Sequence, residues 1–234
     1  MWRFIVLRGL PLAFLYLYKS PGKTAGGLNM IVKITREEVI DKYPSFPLRE
    51  WNEKEEEYSE HFPKTYASYI LTLLSKSYRG QIKLLGTELT TLTKDFGFDK
   101  LIFLGDIDTA WLRREHDFKP AKEALQYLIN NKVGKRFNGA LQVDITVLPT
   151  FIVQLSWLVR TNAVLPYVYF IDPEQSFIGT ICQYGNLHFS TMNEATDIRF
   201  KNTISKTKFE FMTESICYNK FSKSGSTKGR QIAL

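Results

Sequence analysis

Residues 165–191 read LPYVYFIDPEQSFIGTICQYGNLHFST, and this stretch decides the fold. It holds three runs rich in β-branched and aromatic residues, which are typical of strands. Asp172-Pro173-Glu174 follows the first run and fits a type I turn with proline at its second position. Gly185-Asn186 follows the second run and fits a two-residue hairpin turn. The sequence therefore predicts an antiparallel meander of three strands, at 165–171, 177–184 and 187–191.

The two-residue turn fixes the register expected for the last hairpin. Counted outward from that turn, Gln183 opposes His188 and Cys182 opposes Phe189. Because side chains alternate between the faces of a strand, Cys182 and His188 are predicted to point to opposite sides of the sheet. That register excludes a Cys-His nucleophilic pair and assigns Cys182, with Tyr184, to the core. The other face and the Tyr-rich first strand supply the candidate binding surface: Gln183, His188, Ser190, Tyr167 and Tyr169.

Upstream of the meander, the sequence predicts three helices followed by a mixture of strands and helices. Thr35 and Glu38 have the spacing of a capping box, which predicts a helix that ends at Tyr43 before Pro44. Apolar residues at helical spacing, together with Pro63, predict a helix that ends near Gly80. The remaining expectations are helices at 48–60, 63–78, 120–132 and 149–160, a β-prone segment at 81–93, and strands at 100–104 and 139–147.

These elements predict an α+β fold in a single domain over residues 30–218. Its N-terminal third is expected to be helical, and its mostly antiparallel sheet to end in the three-stranded meander. Residues 1–29 resemble an upstream extension or a signal-like segment, and a translation start at Met30 is favoured over secretion. Residues 219–234 are expected to be a disordered basic tail. A cytoplasmic location follows, with export as the alternative if residues 1–29 are a signal peptide.

The formal charge of +7 lies at the ends of the chain. Residues 1–29 and 219–234 each carry four Lys or Arg residues and no acid, which leaves a charge of −1 for residues 30–218. A nearly neutral body argues against dedicated nucleic-acid binding. The run at 10–18 is too short to span a membrane. The two cysteines, Cys182 and Cys217, form neither a disulfide framework nor a zinc pattern, and the sequence leaves open whether they pair.

Asp106 and Asp108 form the most suggestive local motif. They follow a buried-type strand and are two residues apart, an arrangement that holds divalent metals in several enzyme classes. The alternative function is therefore a metal-dependent hydrolase or transferase that uses Asp106, Asp108 and His188. The same aspartates also suit the capping of a turn, so no catalytic residue, metal or cofactor is assigned.

A longer pattern covers residues 51–80. There WNEKEEEYSEHFPKTYASYIL resembles the opening of the SUKH immunity-protein superfamily, in which an acidic helix leads through a Leu-Pro-x-x-Tyr turn to a second helix. Phe62-Pro63 and Tyr66 match that turn. The resemblance implies a cytosolic α+β protein that binds other proteins, as many superfamily members bind bacterial toxins. The leading expectation is therefore a non-enzymatic intracellular protein-binding module of the toxin-immunity type, with a bacterial toxin as its partner and an undetermined oligomeric state.

Overall fold

The computed structural model describes residues 30–52, 54, 56–107, 109–112, 114–161, 165, 167–212 and 217–221. The strands in this part of the chain are β1 (Ile31–Ile34), β2 (Leu48–Asn52), β3 (Glu57–His61), β4 (Ala67–Leu73), β5 (Lys100–Gly105), β6 (Ala140–Asp144), β7 (Val168–Ile171), β8 (Phe177–Ile181), β9 (Leu187–Thr191) and β10 (Phe209–Phe211). The helices are α1 (Arg36–Lys42), α2 (Tyr78–Asp95), α3 (Lys119–Asn130), α4 (Leu148–Arg160) and α5 (Glu194–Ile204).

Eight strands form one sheet, in the order β1-β6-β5-β7-β8-β9-β4-β10, and β2 and β3 form a separate hairpin. Every neighbouring pair is antiparallel. The predicted meander is present as β7, β8 and β9, so the α+β class and the antiparallel sheet are confirmed. The helical N-terminal third is not, because residues 30–77 contain one short helix and four strands.

Three helices with explicit start signals form where the sequence predicts them. At the start of α1 the Thr35 side chain accepts from the Glu38 backbone N–H, while the Glu38 carboxylate accepts from the Thr35 N–H, which is a complete capping box. α3 and α4 each begin with a proline in the first turn, where the missing N–H costs nothing. The strands predicted at 100–104 and 139–147 are present as β5 and β6.

The two helices predicted at 48–60 and 63–78 are wrong. The first segment is the β2–β3 hairpin, whose turn places Glu56 at a φ of 51°. The second contains β4, which pairs with β9 on one side and β10 on the other. β4 includes the β-prone residues Tyr69, Ile70 and Thr72 and gains two strand partners, so tertiary pairing outweighs a local helical pattern.

The β-prone segment predicted at 81–93 is also wrong, because it lies inside α2. Ile82, Leu85, Leu89 and Leu92 are fully buried at a helical spacing. The hydroxyls of Thr90 and Thr93, two β-branched residues inside this helix, donate to the carbonyls four residues earlier, both at 2.7 Å. The Ser77 side chain caps the start of this helix by accepting from the Gly80 N–H.

The sheet is covered on both faces. α2, α3, α4 and α5 pack on one face, where the core includes Phe103, Phe151 and Phe189. α1 and the residues that follow it cover part of the other face, packing Val39 and Tyr43 against strand residues such as Ile171. Side chains at alternate strand positions are therefore buried on either face.

Three sequence predictions lie outside the described residues. They concern residues 1–29, residues 222–234 and Asp108. Within the described part of the chain, no helix is both long and apolar enough to cross a membrane.

Candidate functional site

The hairpin of β8 and β9 is closed by a three-residue loop, residues 183–185, and the length of this loop decides which side chains meet. The Cys182 N–H donates to the Asn186 carbonyl at 3.0 Å, and the Gly185 N–H donates to the Cys182 carbonyl at 2.9 Å. Gly185 has a φ of 77°, the left-handed conformation that closes a three-residue hairpin loop. Cys182 therefore opposes Asn186.

The predicted register of this hairpin is wrong by an odd number of residues. Thr180, rather than Gln183, pairs with His188, and Ile181 pairs with Leu187. Opposed side chains share a face of the sheet, and so do side chains two positions apart on one strand. Thr180 opposes His188 and Cys182 is two positions from Thr180, so Cys182 lies on the same face as His188. The prediction assumed a two-residue turn at Gly185-Asn186, and the extra loop residue inverts the assignment of faces.

Cys182 and His188 form a cluster with a second cysteine, Cys217, which comes from the chain after β10. Its Sγ atom lies 3.1 Å from the Cys182 Sγ atom. The Asn186 side-chain N–H donates to the Cys217 Sγ atom, also at 3.1 Å. Both cysteines are free thiols in this structure, so the fold brings together two sulfurs that are 35 positions apart in the chain.

Neighbouring elements hold Asn186 in one orientation. Its side-chain oxygen accepts from the Thr72 hydroxyl of β4 at 2.9 Å and from the Gln81 amide of α2 at 3.0 Å. With the oxygen turned toward these two donors, the amide nitrogen faces Cys217. The amide assignment therefore follows from the hydrogen-bond network.

Two helices also anchor the loop itself. The Gln81 amide donates to the Gly185 carbonyl at 2.8 Å. The Arg160 guanidinium at the end of α4 donates to the Gln183 carbonyl and lies 3.9 Å from the centre of the Tyr78 ring. Burial raises the pKa of Tyr78, whose hydroxyl donates to the Ser156 carbonyl. These contacts keep the loop fixed against α2 and α4.

The third chemical group of the cluster is the His188 imidazole. The side chain is only 2% exposed, and neither ring nitrogen has a hydrogen-bond partner. One ring nitrogen and the two sulfurs lie within 4.8 Å of one another. A buried polar group without a partner is rare and costs about 1–3 kcal/mol, so this imidazole needs a chemical explanation.

The two thiols have opposite pKa shifts. A hydrogen bond from Cys182 lowers the pKa of Cys217 to about 5 against the effect of burial, and the His188 and Asn186 side chains add to the lowering. Burial raises the pKa of Cys182 well above its ordinary value, and the neighbouring Cys217 adds to the rise. The lowered pKa favours the thiolate form of Cys217 over that of Cys182.

The other predicted binding residues do not form one exposed surface. Ser190 is fully buried, and its hydroxyl lies 2.9 Å from that of Ser68. Gln183 is half-buried in the loop rather than on a strand. Tyr169 packs edge-on against Phe62, and the Arg49 guanidinium lies over the Tyr167 ring.

Nor does the fold bring Asp106 to His188. A row of paired residues crosses β5, β7, β8 and β9 from Leu104 to His188, and three strand spacings amount to about 14 Å. Asp106 follows the end of that first strand and makes a salt bridge with Arg49 at 3.1 Å. Asp106 also caps a turn by accepting from the Ile107 N–H.

Sequence reasoning missed this cluster. It set Cys182 against the core and made no use of Cys217, although it left open a pairing of the two cysteines. Comparison with known proteins finds no family model, no curated protein and no solved structure that matches the chain. The cluster therefore has to be interpreted from its own geometry.

Proposed function

We propose that this α+β protein is a thiol–disulfide redox protein whose reacting groups are Cys182 and Cys217. The observation that carries the proposal is the 3.1 Å separation of the two sulfurs. A disulfide bond is about 2.05 Å long, so closure needs a movement of about 1 Å. The fixed hairpin loop on one side of the pair favours that closure.

Unequal exposure of the two thiols assigns their roles. Cys182 is 7% exposed, whereas Cys217 is half-buried. An incoming disulfide therefore meets Cys217 first, and Cys182 is left to resolve the intermediate. This division between an attacking and a resolving cysteine is the usual course of thiol–disulfide exchange.

The exchange balances in two steps. The Cys217 thiolate attacks one sulfur of a substrate disulfide, whose S–S bond breaks, and the released sulfur takes up a proton. Cys182 then loses its proton and attacks the Cys217 sulfur, which forms the Cys182–Cys217 disulfide and releases the second substrate thiol. The substrate gains two electrons from the cysteine pair and two protons, of which Cys182 supplies one and the solvent the other.

The chain has only two cysteines, which makes the test unambiguous. The full chain is equilibrated in glutathione buffers of graded potential, quenched with acid, alkylated and weighed. We expect reversible loss of two alkylation sites, with a midpoint above about −300 mV, the value below which structural disulfides fall. Two free thiols in every buffer would contradict the proposal. A midpoint far below that value would show that the pair forms a structural disulfide and would also contradict it.

Single cysteine variants supply the controls. Cys182→Ser should accumulate glutathione on Cys217, because the resolving thiol is missing. Cys217→Ser should accumulate much less, because the remaining thiol is buried. Equal modification of the two variants, both still folded by circular dichroism, would contradict the assigned roles.

Binding to another protein, with a toxin as partner, is a second candidate that one observation favours. In the described part of the chain, β1 and β10 each have one strand neighbour. Val32 and Phe211 on these edges are 42% and 47% exposed. An open edge of this kind can accept a strand from a partner.

That candidate can be tested with the protein encoded beside this one. Phe211→Asp combined with Val32→Asp should abolish their co-purification, and Ile198→Asp, at an exposed site on α5, should not. Co-purification that survives changes at both edges would contradict edge-strand pairing.

A further inference from the structure

We propose that the reduced cluster of Cys182, His188 and Cys217 is a binding site for a soft divalent cation, of which Zn²⁺ is the type. Three potential ligand atoms from these residues lie within 4.8 Å of one another. They come from the end of β8, from β9 and from the chain after β10. The tertiary structure, rather than a local sequence motif, therefore brings these three ligand atoms together.

The buried imidazole is the independent observation that points to a ligand. His188 is 2% exposed, and both of its ring nitrogens are unpartnered. Coordination of a cation through one nitrogen removes the cost of leaving that nitrogen unbonded. A redox pair alone needs no buried histidine without hydrogen bonds, so the proposed exchange chemistry does not account for this feature.

The ligand types select the class of cation. Two thiolates and an imidazole favour Zn²⁺ and similar soft or borderline ions over Mg²⁺ and Ca²⁺, which prefer oxygen ligands. Tetrahedral coordination with Zn–S bonds of about 2.3 Å places two sulfurs roughly 3.7 Å apart. Cys182 and Cys217, now 3.1 Å apart, need to separate by less than 1 Å.

The surroundings already support metal-bound sulfur. Asn186, oriented by Thr72 and Gln81, donates its amide N–H to the Cys217 sulfur. Such outer hydrogen bonds orient ligands and tune metal affinity. Three protein ligands leave one position of a tetrahedral ion open for water or for an external ligand.

Metal binding and disulfide formation exclude each other, because the sulfurs of a disulfide are no longer thiolates. Oxidation of the pair should therefore release the cation, and a bound cation should protect the pair from oxidation. This coupling rests on the proposed redox function, but cation binding itself does not.

The test uses the full chain, reduced with a phosphine, stripped of metal and titrated with Co²⁺. We expect one equivalent to bind and produce a thiolate-to-cobalt charge-transfer band, which Zn²⁺ then abolishes by displacement. His188→Ala should weaken binding by about 100-fold or more, since even loss of an outer hydrogen bond costs 10–100-fold. His116→Ala is the matched control and should bind like the wild type. His116 lies just before α3, where its ring nitrogen accepts from the Phe118 N–H.

A second measurement avoids reliance on variants that fail to fold. X-ray absorption of the wild-type zinc complex should report two sulfur ligands and one imidazole nitrogen. Absence of a charge-transfer band at stoichiometric Co²⁺, or equal affinity in wild type and His188→Ala, would overturn the proposal. A disulfide that forms in a protein without cation binding would refute the metal site alone, and cation binding without disulfide formation would refute the redox function alone.

Discussion

Cys182 and Asn186 oppose each other at the end of the last hairpin, joined by a backbone hydrogen bond of 3.0 Å from the Cys182 N–H to the Asn186 carbonyl. This pairing turns Cys182 toward the face of His188 and brings the Asn186 amide to the Cys217 sulfur. The chemistry of the site therefore depends on the length of one loop.

Replacement of Gly185 should test that dependence. Gly185→Ala places a side chain at a φ of 77°, which costs about 1–2 kcal/mol in the left-handed region. The new Cβ would also lie 3.0 Å from the Tyr78 ring. We expect a loss of about 1–2 kcal/mol in the free energy of unfolding, measured by urea denaturation. Gly134→Ala, where nothing lies within 4 Å, is the control, and equal losses at the two sites would contradict the account.

Gly179 tests the packing of the meander. An alanine Cβ there would lie 2.2 Å from the Phe170 ring, which covers the glycine across the β7–β8 pair. Overpacking of this kind costs about 1–3 kcal/mol. Gly179→Ala should therefore lower the melting temperature, and adding Phe170→Leu should recover part of the loss. A double variant no more stable than expected from the two separate changes would contradict direct contact.

Asp197 should make stability depend on pH. Although burial raises it, hydrogen bonds from Lys201, Tyr69 and Thr191 lower the pKa of Asp197 below its ordinary value of 3.8. The stability from its ionised form is present above that value and is lost as the pH falls through the folded pKa. Asp197→Asn should cost about 1–3 kcal/mol near neutral pH.

Urea denaturation of both proteins, from about pH 7 down to about pH 3, measures this effect. The difference from wild type should shrink below about pH 4. Asp117→Asn, at an exposed site, is the control. A difference that stays constant over the whole range would show that the charge of Asp197 does not contribute.

Alkylation of the reduced protein should distinguish the two thiols. Cys182 is 7% exposed and Cys217 is half-buried, so iodoacetamide should modify Cys217 first in the presence of a chelator. We expect at least a roughly tenfold difference in rate, because modification of Cys182 requires local opening of the structure. Peptide mass spectrometry measures both rates. They should become equal in denaturant, and equal rates in the folded protein would contradict the arrangement.

Asp106 should act through its ion pair with Arg49. Their side chains are 10% and 21% exposed and lie 3.1 Å apart, so Asp106→Asn should cost about 1–3 kcal/mol of stability. The loss should be the same with and without Mg²⁺ or Mn²⁺. If these ions raised the melting temperature of the wild type but not of the variant, the metal-dependent hydrolase or transferase alternative would be favoured.

Local signals predicted the elements that carry their own start and stop chemistry. The capping box at Thr35 and the prolines that open α3 and α4 act within one turn of helix, so no distant contact is needed to place them. The types of β4 and α2 were both predicted wrongly, since β4 was expected to be helical and α2 to be β-prone. β4 becomes a strand by pairing with β9 and β10, and α2 is a helix that buries its apolar residues at a helical spacing.

By itself, the sequence determined the α+β class, the three strands of the meander and the turn at Asp172-Pro173, because alternation and turn residues act over a few positions. Only the tertiary structure decided the hairpin register. Gly185 is compatible with a loop of two residues and with a loop of three, and the two lengths place each side chain on opposite faces of the sheet. The tertiary structure also decided the approach of Cys217, which follows β10 and reaches Cys182 through long-range strand pairing. Contacts between residues far apart in the chain leave no local pattern, so the cluster of Cys182, His188 and Cys217 emerged only from the fold.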